Sequence, residues 1–98
     1  MPRPTLKYVS EIEALRNLGP KSAAWLADAG ISTRSELART GAIEACRRML
    51  RAGHPVTTVM AYAIEGALMN CDWRELPFEF RKHLRIECVK LHREKTTP

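Results

Sequence analysis

Aromatic side chains make up only 6% of this 98-residue chain, and no segment alternates apolar and polar residues over the length of a strand. Both scarcities argue against a sheet, whose pleated, half-buried faces favour aromatic and β-branched residues at a period of two. Cysteine is confined to Cys46, Cys71 and Cys88, an odd number placed far apart with no Cys-x-x-Cys pair. That pattern speaks against a disulfide framework and against structural zinc. No apolar run approaches the roughly 20 residues needed to span a bilayer, and Met1 to Lys7 is polar and broken by proline, unlike a signal peptide. A cytoplasmic location and no membrane partner are expected. Catalytic patterns are missing too. His54, His83 and His92 lack metal-ligand spacing and read as surface or cap residues. Ser10, Ser22, Ser32 and Ser35 fall at helix starts, and Gly-Pro-Lys-Ser is too short for a P-loop. No enzyme activity, metal, cofactor or small-molecule substrate is expected.

What is present is ordinary globular composition, 45% apolar and 28% charged, in a length that suits one domain. A single domain over 1–98 is expected, with its core at about 10–92 and with 1–9 and 95–98 flexible. Helix signals recur along it. Ser10 with Glu13 reads as a capping box opening a short helix through Ile12, Leu15 and Leu18. Pro20 suits the first turn of a second helix that carries Ala23, Trp25, Leu26 and Ala29 and stops at Gly30. Thr33 with Glu36 opens a third helix ending near Gly41. A fourth places Ala42, Ile43, Cys46, Met49 and Leu50 on one face, with Arg47, Arg48 and Arg51 elsewhere. The fifth, with Val56, Val59, Met60, Ala63, Ile64, Ala67 and Leu68 at helical spacing, is the expected central core helix. Gly66 within it suggests that another helix crosses closely. Asn70, Cys71 and Asp72 make a loop. Pro77 then restarts helix with Phe80, Leu84, Cys88 and Leu91 on one stripe. The expected fold is all-α, five or six short helices around one core, containing a helix-hairpin-helix-like (SAM-like) element. Trp25 and Trp73 are expected to anchor the core, and Glu65 to cap or pair with a helix end.

That element is the run from Leu15 to Ser22. A residue able to take positive φ (Asn17), an apolar residue (Leu18), a glycine (Gly19) and a polar helix start make a tight turn whose exposed N–H groups can hold a phosphate oxygen. Lys21 adds a mobile charge and Ser22 a hydroxyl. The candidate phosphate-binding residues are therefore Asn17, Gly19, Lys21 and Ser22. Arg81, Lys82 and Arg85 join them from the last helix, where from Arg81 onward Lys90, Arg93 and Lys95 add to the basic side and only Glu87 and Glu94 oppose it. The excess of 16 Lys and Arg over 11 Asp and Glu, a formal +5, agrees with an acidic partner but also with a solvated surface. Two readings stay open. One is a protein-interaction module, docking a protein partner or a second copy; the other is a sequence-nonspecific binder of the DNA backbone.

The phrases Asn17 to Ser22, Trp25-Leu26, Gly30-Ile31 with Thr33, Gly41-Ala42, Tyr62 to Leu68, and Trp73 with Leu76-Pro77 together resemble the carboxy-terminal domain of the TfoX/Sxy family of bacterial competence regulators. The resemblance covers about Leu15 to Arg85. It implies an all-helical domain related to helix-hairpin-helix folds, no enzyme activity, and a part in regulating DNA uptake and transformation. The amino-terminal domain of full-length members has no counterpart in these 98 residues.

Overall fold

The computed structural model describes residues 11–96, and its helices begin where the backbone finds caps. Helix α1 (Pro20–Asp28) starts behind Gly19 with proline in its first turn. Helix α2 (Arg34–Thr40) opens on a complete capping box: the Thr33 hydroxyl accepts from the Glu36 N–H at 3.1 Å, and the Glu36 carboxylate accepts from the N–H groups of Thr33 and Ser32. Gly41 ends α2 and begins α3 (Ala42–Arg51). Its φ of 82° with ψ of 160° is a conformation in which a side chain would be strained. Helix α4 (Thr58–Leu68) follows, then a single 3-10 turn (Trp73–Glu75) with its own capping box on Asp72, and last α5 (Phe78–Thr96). Among the described residues there is no strand.

Three of these helices end identically. After α1, α3 and α4, a residue at positive φ (Gly30, Gly53 and Asn70) reverses the chain, and the next N–H reaches back five residues: Ile31 to Leu26, His54 to Met49, Cys71 to Gly66. This Schellman closure satisfies the last carbonyls, and it turns Ile31 inward beside Leu26, where both are buried.

Helices α3, α4 and α5 pack against one another in a triangle, α1 packs on α3, α2 bridges α3 and α4, and the 3-10 turn lies on α4. Leu26, Leu37, Cys46, Met49, Ile64, Leu84, Cys88 and Leu91 fill the interior, with Ile12, Ile31, Val56 and Leu76 contributed by connectors. The all-α architecture agrees with the sequence, as do the positions of the five helices from Pro20 onward.

Several details differ. Residues 11–17 run as consecutive turns instead of a helix; Ser10 of the expected capping box lies outside the described residues. The turns are closed by i→i+3 bonds from Leu15 to Ile12 and from Leu18 to Leu15. Apolar residues spaced by three suit that tighter winding, so Ile12 is fully buried without an α-helix. The first arm of a helix-hairpin-helix is therefore not helical here. Val56 is buried but precedes α4, and Val59 and Phe80, expected on core stripes, are exposed by 49% and 42%. Both belong to the first turn of their helices, beyond the cover of neighbouring elements. Ala61, outside the expected stripe, is fully buried, because small residues let α4 be packed on most of its circumference.

Candidate functional site

Asn17 stands at the pivot of the turn, at φ 71°. Its side-chain amide donates to the carbonyls of Cys71 at 2.9 Å and Ala63 at 3.4 Å, and its oxygen accepts from the Trp73 N–H at 3.4 Å. The residue predicted to face a phosphate instead latches the turn to α4 and to the 3-10 turn. Gly66 makes room for it: a Cβ there would lie 2.6 Å from the Asn17 amide nitrogen, 2.9 Å from the Cys71 carbonyl oxygen and 3.0 Å from the Trp73 Cα. The close approach at Gly66 is thus a loop and a side-chain amide, not a crossing helix.

Gly19 adopts extended backbone at the start of α1, with open space where a Cβ would be, so the left-handed role in the turn belongs to Asn17. No side chain caps α1, which leaves the first-turn N–H groups without that partner. Lys21 is exposed and holds its ammonium 4.8 Å from the centre of the Trp25 ring. Trp25 also stacks on His54, with ring centres 4.7 Å apart and planes within 9°, and the His54 Nε2 lies 2.8 Å from the Asp28 carboxylate. Trp25 is therefore half-buried in a surface stack and supports the core from outside. Trp73 behaves alike, stacked on Tyr62 at 5.3 Å.

Asn17, Lys21, Ser22 and Trp25 form one wall of a groove of about 300 Å³, and Val59 and Met60 of α4 form the other. Arg81, Lys82 and Arg85 lie on α5, which makes no contact with α1. The structure therefore brings three of the hairpin candidates together and keeps the α5 cations on a separate element. Lys82 and Arg85 are exposed; Arg81 is half-buried, its Nε buried without a hydrogen-bond partner among the described residues. Glu65 lines a second cavity of about 300 Å³ with Glu79, Phe80, His83 and Leu84.

Further clusters bring together residues far apart in sequence. Cys46 of α3 and Cys88 of α5 are buried thiols in mutual hydrogen-bond contact. The Cys46 hydrogen bond, aided by the Thr58 hydroxyl and nearby His92, draws the Cys88 thiol down to about 7 against the opposing effect of burial. Cys46 is pushed up by that same contact and by burial. His92 places its Nδ1 at 2.8 Å from the Cys88 carbonyl and its Nε2 at 2.9 Å from the Val56 carbonyl, pinning α5 to the loop before α4. On the surface, hydrogen bonds from the Arg74 guanidinium and its backbone N–H hold Asp72 below the usual carboxylate range. Glu44 is lowered by Arg47 and Arg48. No group of three or more His, Cys, Asp or Glu among the described residues could hold a metal ion, and no described helix is long and apolar enough to cross a membrane.

One surface feature was readable from spacing and not read. Phe78, Ile86 and Val89 form a second apolar line on α5, opposite Leu84, Cys88 and Leu91, and are exposed by 62%, 44% and 47%. The contacts of His92, Cys46 and Asp28 had no such signal, since partners 26 or more residues apart are set by the fold.

Comparison with known proteins gives the fold a lineage. No curated protein matches the chain. The crystal structure of an uncharacterized protein from Listeria monocytogenes superposes with a TM-score of 0.79 at 30% sequence identity, over 83% of this chain and 92% of that one. The family model described as the TfoX C-terminal domain matches residues 9–88, beyond both ends of the phrases that suggested it. On that match, the chain belongs to the TfoX C-terminal domain family.

Proposed function

We propose that the protein is a non-enzymatic, cytoplasmic regulatory module that acts by binding another protein in the control of competence and DNA uptake. The observation that carries this reading is the set of large apolar side chains left in water on a small domain: Val59, Phe78, Ile86 and Val89 are each more than two-fifths exposed. Phe78, Ile86 and Val89 share one face of α5, and an exposed apolar line of that kind marks an interaction surface. The DNA-backbone alternative has less behind it. Asn17 spends its amide within the fold, Lys21 lies over Trp25, and the α5 cations sit on a helix that does not touch α1.

Titration with duplex DNA at several salt concentrations tests the choice, because phosphate contact gives an affinity that falls steeply with salt. The expected result is weak binding that Lys21→Glu barely changes. Steep, salt-sensitive binding abolished by Lys21→Glu, with the fold intact by circular dichroism, would establish the DNA reading instead. The competence role is tested by deleting the gene in its host and measuring transformation frequency, which should change and return on complementation.

A further inference from the structure

Helix α5 carries two stripes. Its inner stripe, Leu84, Cys88 and Leu91, is buried against α3 and α4. Its outer stripe runs Phe78, Lys82, Ile86, Val89, Arg93, a spacing of four, four, three and four, with Arg85 alongside. That is the repeat of a helix seam, here on the side turned away from the domain. It extends over roughly 22 Å at 1.5 Å per residue, about four turns.

The composition of this seam limits what can cover it. Its apolar members are Phe78, Ile86 and Val89; its charges are Lys82, Arg85 and Arg93, with Glu79 at one edge. A second copy would bring a face with the same excess of cations, and like charges across an interface oppose association. A bilayer takes an apolar face with cations at its flanks, whereas Lys82 and Arg93 stand in the same line as the apolar residues. A nucleic-acid backbone answers the cations but leaves Phe78, Ile86 and Val89 against phosphates and water. A helix with its own apolar line and carboxylates beside it answers both: leucine-like side chains seat on the apolar residues while glutamates or aspartates meet Lys82 and Arg85.

We propose that the outer face of α5, from Phe78 to Arg93, is the docking surface for an acidic amphipathic helix of a partner protein. This rests on the protein-interaction reading above and adds the surface and the chemistry of what it takes.

The test uses the full chain and a fluorescently labelled synthetic helix of about 20 residues, long enough for the seam, with leucines at seam positions and glutamates beside them. Controls are the same peptide with lysine replacing glutamate, vesicles containing phosphatidylglycerol, and duplex DNA. The glutamate peptide should bind saturably, with at least about tenfold preference over the lysine peptide, as expected when potentials are complementary. Lys82→Glu with Arg85→Glu should weaken it about tenfold or more. Ile86→Asp should do the same by placing a carboxylate in the apolar seam, while thermal melting stays unchanged because these positions are exposed. Absence of peptide binding, equal binding of the lysine peptide, or binding that ignores these substitutions overturns the proposal. Vesicle binding without peptide binding overturns it in favour of a membrane surface, and self-association abolished by Ile86→Asp overturns it in favour of a second copy. If neither peptide nor DNA binds, only the assignment to α5 falls, and another surface such as the Val59 groove must carry the protein interaction. If DNA binds steeply with salt and Lys21→Glu abolishes it, the protein-interaction reading itself falls.

Discussion

Asn17 concentrates two costs in one residue. It holds positive φ, which a side chain other than asparagine, aspartate or glycine tolerates poorly, and its amide serves carbonyls of two other segments. Asn17→Ala should cost about 2–5 kcal/mol, combining roughly 1–2 for the left-handed backbone with roughly 1–3 for polar groups left unsatisfied. Asn17→Gly removes the first part and should cost less, by urea denaturation. Gly66→Ala gains about 1 kcal/mol of helix propensity, but a Cβ at 2.6 Å from the Asn17 nitrogen is too close to stand, and overpacking of about 1–3 kcal/mol should prevail. The two changes share one space. Gly66→Ala should therefore be milder in an Asn17→Ala background, a coupling that a double-mutant cycle measures. The thiols present a different competition, between ionisation and access. Cys88 has its thiol drawn down by its hydrogen bond with Cys46, yet it is 1% exposed. Access should decide: half-buried Cys71 on its loop reacts first with a disulfide reagent, and Cys46 and Cys88 react only as the protein unfolds.

The helix ends are where sequence spoke most clearly. Thr33 and Glu36 formed the predicted capping box because cap chemistry is local: donor and acceptor lie three residues apart, and no distant partner is needed. Gly30 and Gly41 were legible as stops for the same reason. What spacing misjudged was the edge of the core. Val59 and Phe80 fall on inward-facing arcs of their helices, yet each occupies a first turn that nothing covers, and coverage is a tertiary fact. The hairpin was half legible. Its turn is present, but the glycine thought to permit it is extended, and Asn17, thought to face outward, points into the fold. The caps also set an acid dependence. Backbone N–H groups of Ser32 and Thr33 hold Glu36 below its ordinary 4.5, and Arg74 holds Asp72 below its ordinary 3.8. A carboxylate lowered by folding stabilises the native state above its unfolded value, and that contribution disappears as pH falls through the lowered one. Melting temperature should thus decline as pH falls below the ordinary values of 4.5 and 3.8, and Glu36→Gln should flatten the upper part of that decline.

At the scale of the whole molecule, the family pattern and the core do not end together. The family match stops at Cys88, one turn before Leu91 is buried and His92 ties α5 to the loop at Val56. The Arg47 guanidinium also reaches Glu94 across from α3, at 3.2 Å. A stop codon after Cys88 would remove all three contacts. The exposed ion pair counts for little, about 0–1 kcal/mol. Leu91 counts for more: deleting a buried leucine side chain costs about 2–5 kcal/mol, and each lost hydrogen bond of His92 about 1 more. Against a typical domain stability of about 5–15 kcal/mol, the shortened chain should keep only a fraction of its stability, with Leu50 uncovered. A stop after Glu94 keeps every one of these groups and should melt close to the full chain. Urea denaturation of the two truncations measures the difference directly, and equal midpoints would show that the turn from Val89 to Glu94 does not belong to the core.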